Sequence, residues 1–404
     1  MKQSLRHTCG AAATAALLLA GCSQSMSPGH GMAAPAASTS ATPAAALRTG
    51  LNALFAEHVV LAGAATGAAL GSREAEFKAA AGALDANSVA IAQAIGSVYG
   101  KDAEAAFLPL WRKHIGFMVD YAVGAASSDR AKQDKAVSEL VAYTQDFGAF
   151  LASANPHLPK SVVADLVKHH VVTLKEVVDA QAAKDHGRAY TALRVASAHM
   201  AMIADPLAGA IARQFPDRFP GSTAGPSAGL RAALNVAMGE HVYLAAAATG
   251  AALGGREAEF KAAAGALDAN SVAIAQAIGS VYGKDAEAAF LPLWRKHIGF
   301  VVDYTVGAAS SDPARQDNAV SELVVYAQDF GAFLASANPN LPKSVVADLV
   351  KHHVVTLKTV IDAQAAKDPT RTYAAVRSAA GHMQQIADPL AEAIVKQFPD
   401  RYRG

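Results

Sequence analysis

Apolar residues recur at intervals of three and four along most of this 404-residue chain, which is the spacing of amphipathic helices. Strand-like alternation of apolar and polar residues is scarce. Glycine, serine and Asn-Pro positions interrupt the helical pattern and divide it into segments. The helices predicted in the first half are 47–70, 73–98, 102–126, 130–153, 161–184 and 187–214. Pro109 and Pro206 fall inside two of them, where proline should kink the helix or mark its true start.

The same pattern occurs twice in the chain. Residues 47–218 realign with residues 230–401 at a constant offset of 183 residues and without a gap. Within them, Arg73 to Phe117 recurs unchanged as Arg256 to Phe300. A repeat of this length is a normal size for one domain with its own core. The sequence therefore predicts an all-α protein of two tandem helical bundles, with about six helical segments in each.

Composition sets the boundaries of these bundles. Residues 22–46 are mainly Ala, Pro, Ser and Thr with almost no bulky apolar residue, so we expect a disordered tether there. Residues 219–229 are rich in Gly, Ser and Pro and should form a linker. The two bundles are accordingly predicted at 47–218 and 230–404.

Residues 1–21 have the features of a lipoprotein signal peptide. Lys2 and Arg6 give a charged start, an Ala/Leu stretch follows, and Leu19-Ala20-Gly21-Cys22 has the form of a lipoprotein cleavage box. We expect this segment to be removed and Cys22 to be acylated, which would anchor the protein to a membrane. The predicted location is the bacterial cell envelope, at the outer membrane or another periplasm-facing membrane surface. The alternative is a plain secretory peptide with an incidental cysteine.

Cysteine content and charge exclude several classes of function. Cys9 would leave with the signal peptide and Cys22 would carry lipid, so no thiol remains for a disulfide, a nucleophile or a metal. The formal net charge is +1 and 17% of the residues are charged, which gives no electrostatic attraction for nucleic acid. After the signal, no apolar run is expected to approach the roughly 20 residues that span a bilayer. The membrane would be reached through the lipid alone, and no protein partner is indicated.

Histidine provides the clearest chemical pattern in the chain. Four histidines of each repeat lie on four different predicted helices, and the spacing to neighbouring apolar residues places each imidazole on the core-facing stripe. His114, for example, is in line with Phe107, Trp111 and Tyr121. The eight candidate ligands are His58, His114, His170, His199, His241, His297, His353 and His382.

Inward side chains on facing helices are how helical bundles build metal and cofactor sites. Neutral imidazole binds zinc, copper, iron and nickel, whereas a di-iron site needs several inward carboxylates that this pattern lacks. We therefore predict one transition-metal site per repeat, holding at least three of the four histidines, with copper or zinc favoured over iron. A haem would have to be non-covalent, because there is no Cys-x-x-Cys-His motif. The alternative is that each imidazole is hydrogen-bonded separately within the core.

Other polar residues near the histidines support further expectations. Four acidic residues could accept hydrogen bonds from the imidazoles or lie in solvent as ordinary helix charges; these are Glu57, Asp120, Asp179 and Asp205. His169 and His352 are expected at the surface or beside the site. No nucleophile elbow, phosphate loop or metalloprotease motif is present, so binding, storage or sensing is favoured over catalysis. The alternative functions are a structural or interaction module of the envelope and a redox or haem enzyme.

Several short stretches resemble a bacterial family of secreted and lipid-anchored helical-bundle proteins. They include Lys113-His114-Ile115, Ser153-Ala154-Asn155-Pro156 and His199-Met200. Members of that family have one repeat, and some are labelled copper amine oxidases. The resemblance implies a helical bundle but supplies no established functional residues, and no tyrosine context here suggests the quinone cofactor of an amine oxidase. This chain departs from the family in having two copies and in placing His157 and Asn340 after the Asn-Pro turn, where the family has an aromatic residue.

Overall fold

The computed structural model describes residues 39–403 of the chain. This part contains 13 α-helices, one short 3-10 turn and no strand, so the all-α prediction is confirmed. The predicted signal peptide, Cys22 and the tether up to residue 38 lie outside the described residues. The first repeat comprises α1 to α7 and the second α8 to α13.

The helices follow one another through short turns in both repeats. Their bounds are α1 Pro43–Leu70, α2 Glu74–Tyr99, α3 Lys101–Ala126, α4 Arg130–Ala154, α5 Lys160–Ala182, α6 His186–His199, α7 Ala201–Gln214, α8 Pro226–Leu253, α9 Glu257–Tyr282, α10 Lys284–Ala309, α11 Pro313–Ala337, α12 Lys343–Ala365 and α13 Pro369–Gln397. The 3-10 turn Pro399–Arg401 follows α13. Most ends agree with the sequence prediction to within a few residues, which is the accuracy that helix-end signals allow.

Helices α1 and α8 begin earlier in the chain than predicted. Helix α1 begins at Pro43, inside the expected tether, because the Thr42 side chain caps its first turn at 3.1 Å and proline suits a first helical position. Upstream of the cap, the Ser40 hydroxyl donates to Glu392 at 2.8 Å, which fixes the described end of the tether to the second repeat. Helix α8 likewise begins at Pro226, inside the expected linker.

The internal prolines lie within helices and do not mark helix starts. Pro109 is inside α3 and Pro206 is inside α7. The segment predicted as one helix over 187–214 is divided at Met200, whose N–H donates to the Ser197 carbonyl at 3.1 Å, a tighter turn than the α-helical one. In the second repeat the same segment is a single helix, α13, although it contains Pro389.

Each repeat is organised around one hydrophobic core. Helices α1, α3 and α5 contact one another in the first repeat, and α2 and α4 pack against their neighbours along the chain. Helices α8, α10 and α12 have the same arrangement in the second repeat. The apolar faces of three alternating helices therefore point at one another, and these faces carry three of the predicted histidines of each repeat.

The two repeats pack together through reciprocal contacts. Helix α1 packs against α8, while α6 contacts α9 and α13 contacts α2. Arg194 pairs with Glu240 at 2.9 Å, and Arg377 pairs with Glu57 at 2.8 Å. The two arginines occupy equivalent positions in the repeat, as do the two glutamates. Such exchange of identical contacts is the property of a two-fold symmetric dimer, so the chain is arranged as a dimer fused into one polypeptide.

Two helical stretches, Pro43–Leu70 and His186–Gln214, are long and apolar enough by length and composition to cross a membrane. The sequence expectation that no such run follows the signal peptide therefore needs correction. About half of the residues in each apolar window, 50% and 56%, are buried inside the fold. Core helices of a protein that is not membrane-embedded have the same composition, so these stretches are weak grounds for a span.

The turn after α1 offers a test of the backbone. Ser72 has φ of 56°, a left-handed conformation that costs an L-residue about 1–2 kcal/mol, whereas its counterpart is Gly255 with φ of 67°. We expect Ser72→Gly to raise the free energy of unfolding by about 0.5–1 kcal/mol, because the added freedom of glycine in the unfolded chain offsets part of the relief. Urea denaturation measures the change. Gly255→Ser should act in the opposite direction, and a destabilising Ser72→Gly would contradict this account.

Candidate metal centre

Three of the four predicted histidines of each repeat meet in its core. His58 from α1, His114 from α3 and His170 from α5 offer ring nitrogens that all lie within 4.8 Å of one another. We call this cluster the first triad. The second triad consists of the equivalent residues His241, His297 and His353. Two buried histidine clusters, one in each repeat, are thus placed where a metal ion could be held.

Each triad histidine is inside because it takes the place of an apolar residue in a helical stripe. On α5, His170 lies between Val163 and Val167 on one side and Leu174 and Val177 on the other, all of them buried. The exposed fractions of the first triad are only 1% for His58, 5% for His114 and 4% for His170. The helical period therefore fixes the inward direction of each imidazole, and the contacts of α1, α3 and α5 bring the three rings together.

The spacing of two of the rings already suits a metal. Nε2 of His58 and Nε2 of His114 are 3.3 Å apart, and the same distance separates His241 and His297. Two imidazole nitrogens bound to one tetrahedral ion at about 2.0–2.1 Å would lie about 3.3 Å apart. The ring centroids of these pairs are 5.3 Å apart.

The third ring of each triad lies slightly farther out. The ring centroid of His170 is 5.8 Å from that of His58 and 6.3 Å from that of His114. The corresponding distances from His353 are 5.9 and 6.5 Å. A three-coordinate site therefore needs His170 and His353 to move inward, while the other two rings stay in place.

The triad nitrogens lack the partners that a structural core histidine would have. Nδ1 of His58, Nδ1 of His114 and both ring nitrogens of His170 are buried without a hydrogen bond. The three equivalent residues of the second triad are in the same condition. Leaving a buried polar group unpaired costs about 1–3 kcal/mol, so such groups in a native core call for an explanation. In each triad two rings are within hydrogen-bond distance of each other through Nε2, as in His58 and His114, and the third ring has no partner at all. A shared ion would bind one nitrogen of each of the three rings.

Aromatic rings enclose the first triad. The indole of Trp111 stands edge-on to both His58 and His114, with ring centroids 4.9 and 4.7 Å away. Tyr143 from α4 packs on the other side of His114 at 5.1 Å, and its hydroxyl is buried without a hydrogen bond. Tyr143 was not among the residues predicted from the sequence, although its helical spacing to Phe147 places it on the apolar face of α4. The triad therefore lies in a buried box with aromatic walls at Trp111 and Tyr143.

Burial keeps the triads neutral. Desolvation, with repulsion from neighbouring imidazoles, holds the pKa of His58 well below its ordinary value and lowers that of His170 to about 3. Desolvation also lowers the pKa of His114 to about 4, and a backbone contact with Trp111 partly opposes this change. The pKa values of His297 and His353 fall to about 3 and about 4 for the same main reason. Neutral imidazole is the form that binds metals, so no proton has to be displaced at neutral pH.

The fourth predicted histidine of each repeat lies outside the triad. His199, at the end of α6, is buried. Its Nε2–H donates a hydrogen bond to the carbonyl oxygen of Leu166 at 3.1 Å. Its ring packs at 4.1 Å against His169, which is exposed as expected. His382 makes the equivalent contacts with Leu349 and His352. The prediction of inward histidines holds for burial at all four positions, but the described structure gathers three of them, while the fourth is bonded through Nε2 to a carbonyl on α5 and keeps an unpaired Nδ1.

The acidic residues considered as hydrogen-bond acceptors for the imidazoles serve other partners. Each lies beside a basic side chain instead: Glu57 with Arg377, Asp120 with Lys132, Asp179 with Lys175 and Asp205 with Arg48. Among residues 39–403, neither histidine cluster includes a carboxylate. The protein therefore supplies the site with three neutral nitrogen ligands and no negative charge.

The second triad has small cavities beside two of its rings. Met238 stands where the first repeat has Phe55, and Val301 stands where it has Met118. Cavities of about 30 and 20 Å³ lie beside His297 and His353. Each is large enough for one water-sized ligand, so the second site has room beside its three imidazoles.

No protein-family model matches this chain, and no curated protein or solved structure matches it either. The candidate site therefore depends on its own geometry, and the family resemblance drawn from the short stretches stays a prediction.

Acid should destabilise the metal-free protein. Since each triad histidine has a lower pKa in the fold than the ordinary value of about 6.5, the unfolded chain binds more protons below that pH. We expect the free energy of unfolding in chelator to be level above about pH 7 and to fall between about pH 6.5 and 4. Each histidine adds up to about 1.4 kcal/mol per pH unit to this slope. Urea midpoints across the range measure it.

The slope has a matched control within the chain. Replacing His170 and His353 with Leu should flatten the decline, because two neutral buried bases are removed. Replacing the exposed His157 with Leu should leave it unchanged. A decline of equal slope in all three proteins would show that the triads are not its source.

Proposed function

We propose that each repeat binds one transition-metal ion through its triad, so that the chain holds two ions. The observation that carries this proposal is the convergence of three buried imidazoles from three helices, each of which offers a ring nitrogen within 4.8 Å of the other two. The lowered pKa values support it, because the ligands are ready in their neutral form. The site offers neither a carboxylate base nor a nucleophile beside the imidazoles, which favours binding, storage or sensing of the ion over catalysis.

The charge of the site favours copper, and in particular the monovalent ion. A divalent ion held by three neutral ligands in an apolar box would keep its full charge, and uncompensated charge is costly to bury. Cu(I) carries half of that charge, and imidazole is a common copper ligand. Zinc in a three-histidine site takes a fourth ligand such as water or hydroxide, and the cavities of about 30 and 20 Å³ beside the second triad are lined mainly by apolar side chains. We therefore rank copper first and zinc second.

Elemental analysis of protein purified without a histidine tag tests the proposal. The wild-type chain reconstituted with Cu(I) should retain about two equivalents, His170→Ala about one, and the double variant His170→Ala with His353→Ala none. The two nitrogens left in each triad are 3.3 Å apart, too close for the linear two-coordinate geometry that Cu(I) could otherwise adopt. The control is His169→Ala with His352→Ala, which removes exposed histidines and should retain two equivalents. Circular dichroism confirms that every variant remains helical. A folded wild-type protein that retains no copper, zinc or iron would leave the structural or interaction module as the better reading.

We also propose that the protein is anchored to the bacterial envelope through a lipid on Cys22. The support is the Leu-Ala-Gly-Cys sequence behind a charged and apolar start, together with the resemblance to secreted and lipid-anchored proteins. In this location the bundles would face a compartment where they meet metal ions before the cytoplasm does.

Detergent partitioning tests the anchor separately from the metal. The wild-type protein expressed in a bacterium that processes lipoproteins should enter the detergent phase, since its acyl chains are buried there. Cys22→Ala should move it to the aqueous phase without changing the two copper equivalents. The same substitution at Cys9 should have no effect on the mature protein. A Cys22→Ala protein that still partitions into detergent would refute the lipid anchor.

A further inference from the structure

A cavity of about 800 Å³ lies between the two repeats. Equivalent residues from both copies line it, so it straddles the pseudo-two-fold axis, with α1 and α8 on one side and α6 and α13 on the other. None of the six triad histidines reaches it. Small-molecule sites in proteins typically measure about 300–1,000 Å³, and they occur preferentially at interfaces between domains. The cavity therefore has the size and place of a ligand site that is separate from the metal centres.

The floor of the cavity is made of small apolar positions. They come in equivalent pairs from α1 and α8: Gly63 and Ala246, Ala64 and Ala247, and Gly67 and Gly250. Leu70 and Leu253 lie toward the ends of the same helices. Leu193 packs over Gly63, and Gln181 and Gln364 pack over Gly67 and Gly250, while most of the lining is apolar. A ligand would therefore be held mainly by burial of its own apolar surface.

The partly buried arginines and glutamates of the lining are already paired. Arg73 binds Glu76 and Arg256 binds Glu259, each at 2.7 Å. Arg194 and Glu240 are joined in the reciprocal ion pair between the repeats. Other charges that border the cavity, such as Lys184 and Lys367, are exposed and form its rim. An ionic ligand would find no unbalanced charge inside, so the lining fits a neutral one.

Two tyrosine hydroxyls of the lining have no hydrogen-bond partner among the described residues. Tyr190 on α6 and Tyr373 on α13 occupy equivalent positions, line the cavity and are half-buried. Each ring packs against the hydrophobic core of the opposite repeat, which fixes its direction. Burial raises the pKa of both hydroxyls, so they stay protonated, and neither is held in a hydrogen bond within the described chain. Each is available to donate a hydrogen bond.

We propose that this cavity binds one neutral, largely apolar small molecule per chain, which carries an oxygen acceptor for the hydroxyls of Tyr190 and Tyr373. A ketone, ester or quinone type of oxygen meets that requirement, and an extended apolar body meets the floor of small residues. The two-fold arrangement gives a ligand two equivalent ways to lie, with its acceptor toward either tyrosine. The site exists only because both repeats are present, which gives the duplication a role beyond a second metal site.

Fluorescence titration of the full-length protein with prodan tests this proposal. Prodan is a neutral naphthalene ketone whose emission shifts to the blue in an apolar site. We expect saturable binding with one probe per chain, and the same affinity in the presence of a metal chelator. Two probes per chain, binding that does not saturate, or loss of binding in chelator would overturn the proposal, since each would place the probe elsewhere. The copper stoichiometry is measured in parallel, so this outcome is independent of the metal proposal.

Two pairs of variants locate the probe. Ala64→Phe with Ala247→Phe fills the floor and should weaken binding at least tenfold, whereas Ala69→Phe with Ala252→Phe lies on the exposed side of the same helices and should have no effect. Tyr190→Phe with Tyr373→Phe removes the donors without changing the shape. It should weaken binding about two- to tenfold, which is the range for one hydrogen bond of about 0.5–1.5 kcal/mol. Unchanged affinity in the tyrosine pair, or equal loss in both alanine pairs, would overturn the assignment.

Discussion

The central constraint on this structure is that buried imidazole nitrogens in each core lack hydrogen-bond partners within the protein. In each repeat three imidazoles are packed into one apolar, aromatic box, and most of their nitrogens have no hydrogen bond. Unpaired buried polar atoms oppose folding, and the surrounding Leu, Val and aromatic residues must offset that cost. A metal ion bound only by the folded state through one nitrogen of each ring would add stability that offsets this cost. The binding proposal and the acid sensitivity both follow from this one feature.

Duplication has kept the triads alike and let their surroundings differ. The reciprocal pairs Arg194–Glu240 and Arg377–Glu57 hold the copies in one arrangement, and covalent linkage makes their association intramolecular. Once fused, equivalent positions are free to diverge. Tyr243 donates to Glu57 at 2.9 Å, a bond that its counterpart Val60 is unable to return. Met238 stands where the first repeat has Phe55, so the surroundings of the two triads differ in shape and the two proposed sites are expected to differ in affinity.

Sequence periodicity predicted the helices and the inward faces because burial has a helical period that can be read directly. It placed His58, His114 and His170 on core stripes but gave no distance between helices, so which rings meet was open. His199 lies on an equally apolar stripe of its helix, but its Nε2 is hydrogen-bonded to a carbonyl on the neighbouring α5 instead of facing the triad. The reciprocal ion pairs and the cavity join residues far apart in the sequence, for which periodicity carries no signal. Tyr143 was not predicted because the candidate site was built from helices that carry a histidine, and α4 has none.

The central claim is that three imidazoles of one repeat bind one ion. X-ray absorption spectroscopy at the copper edge of the reconstituted protein tests it most directly, because it counts and identifies the ligands. The account predicts a shell of three nitrogen scatterers at about 2.0 Å with the outer-shell pattern of imidazole rings. A shell dominated by oxygen or sulfur, or fewer than three imidazoles per copper ion, would contradict it.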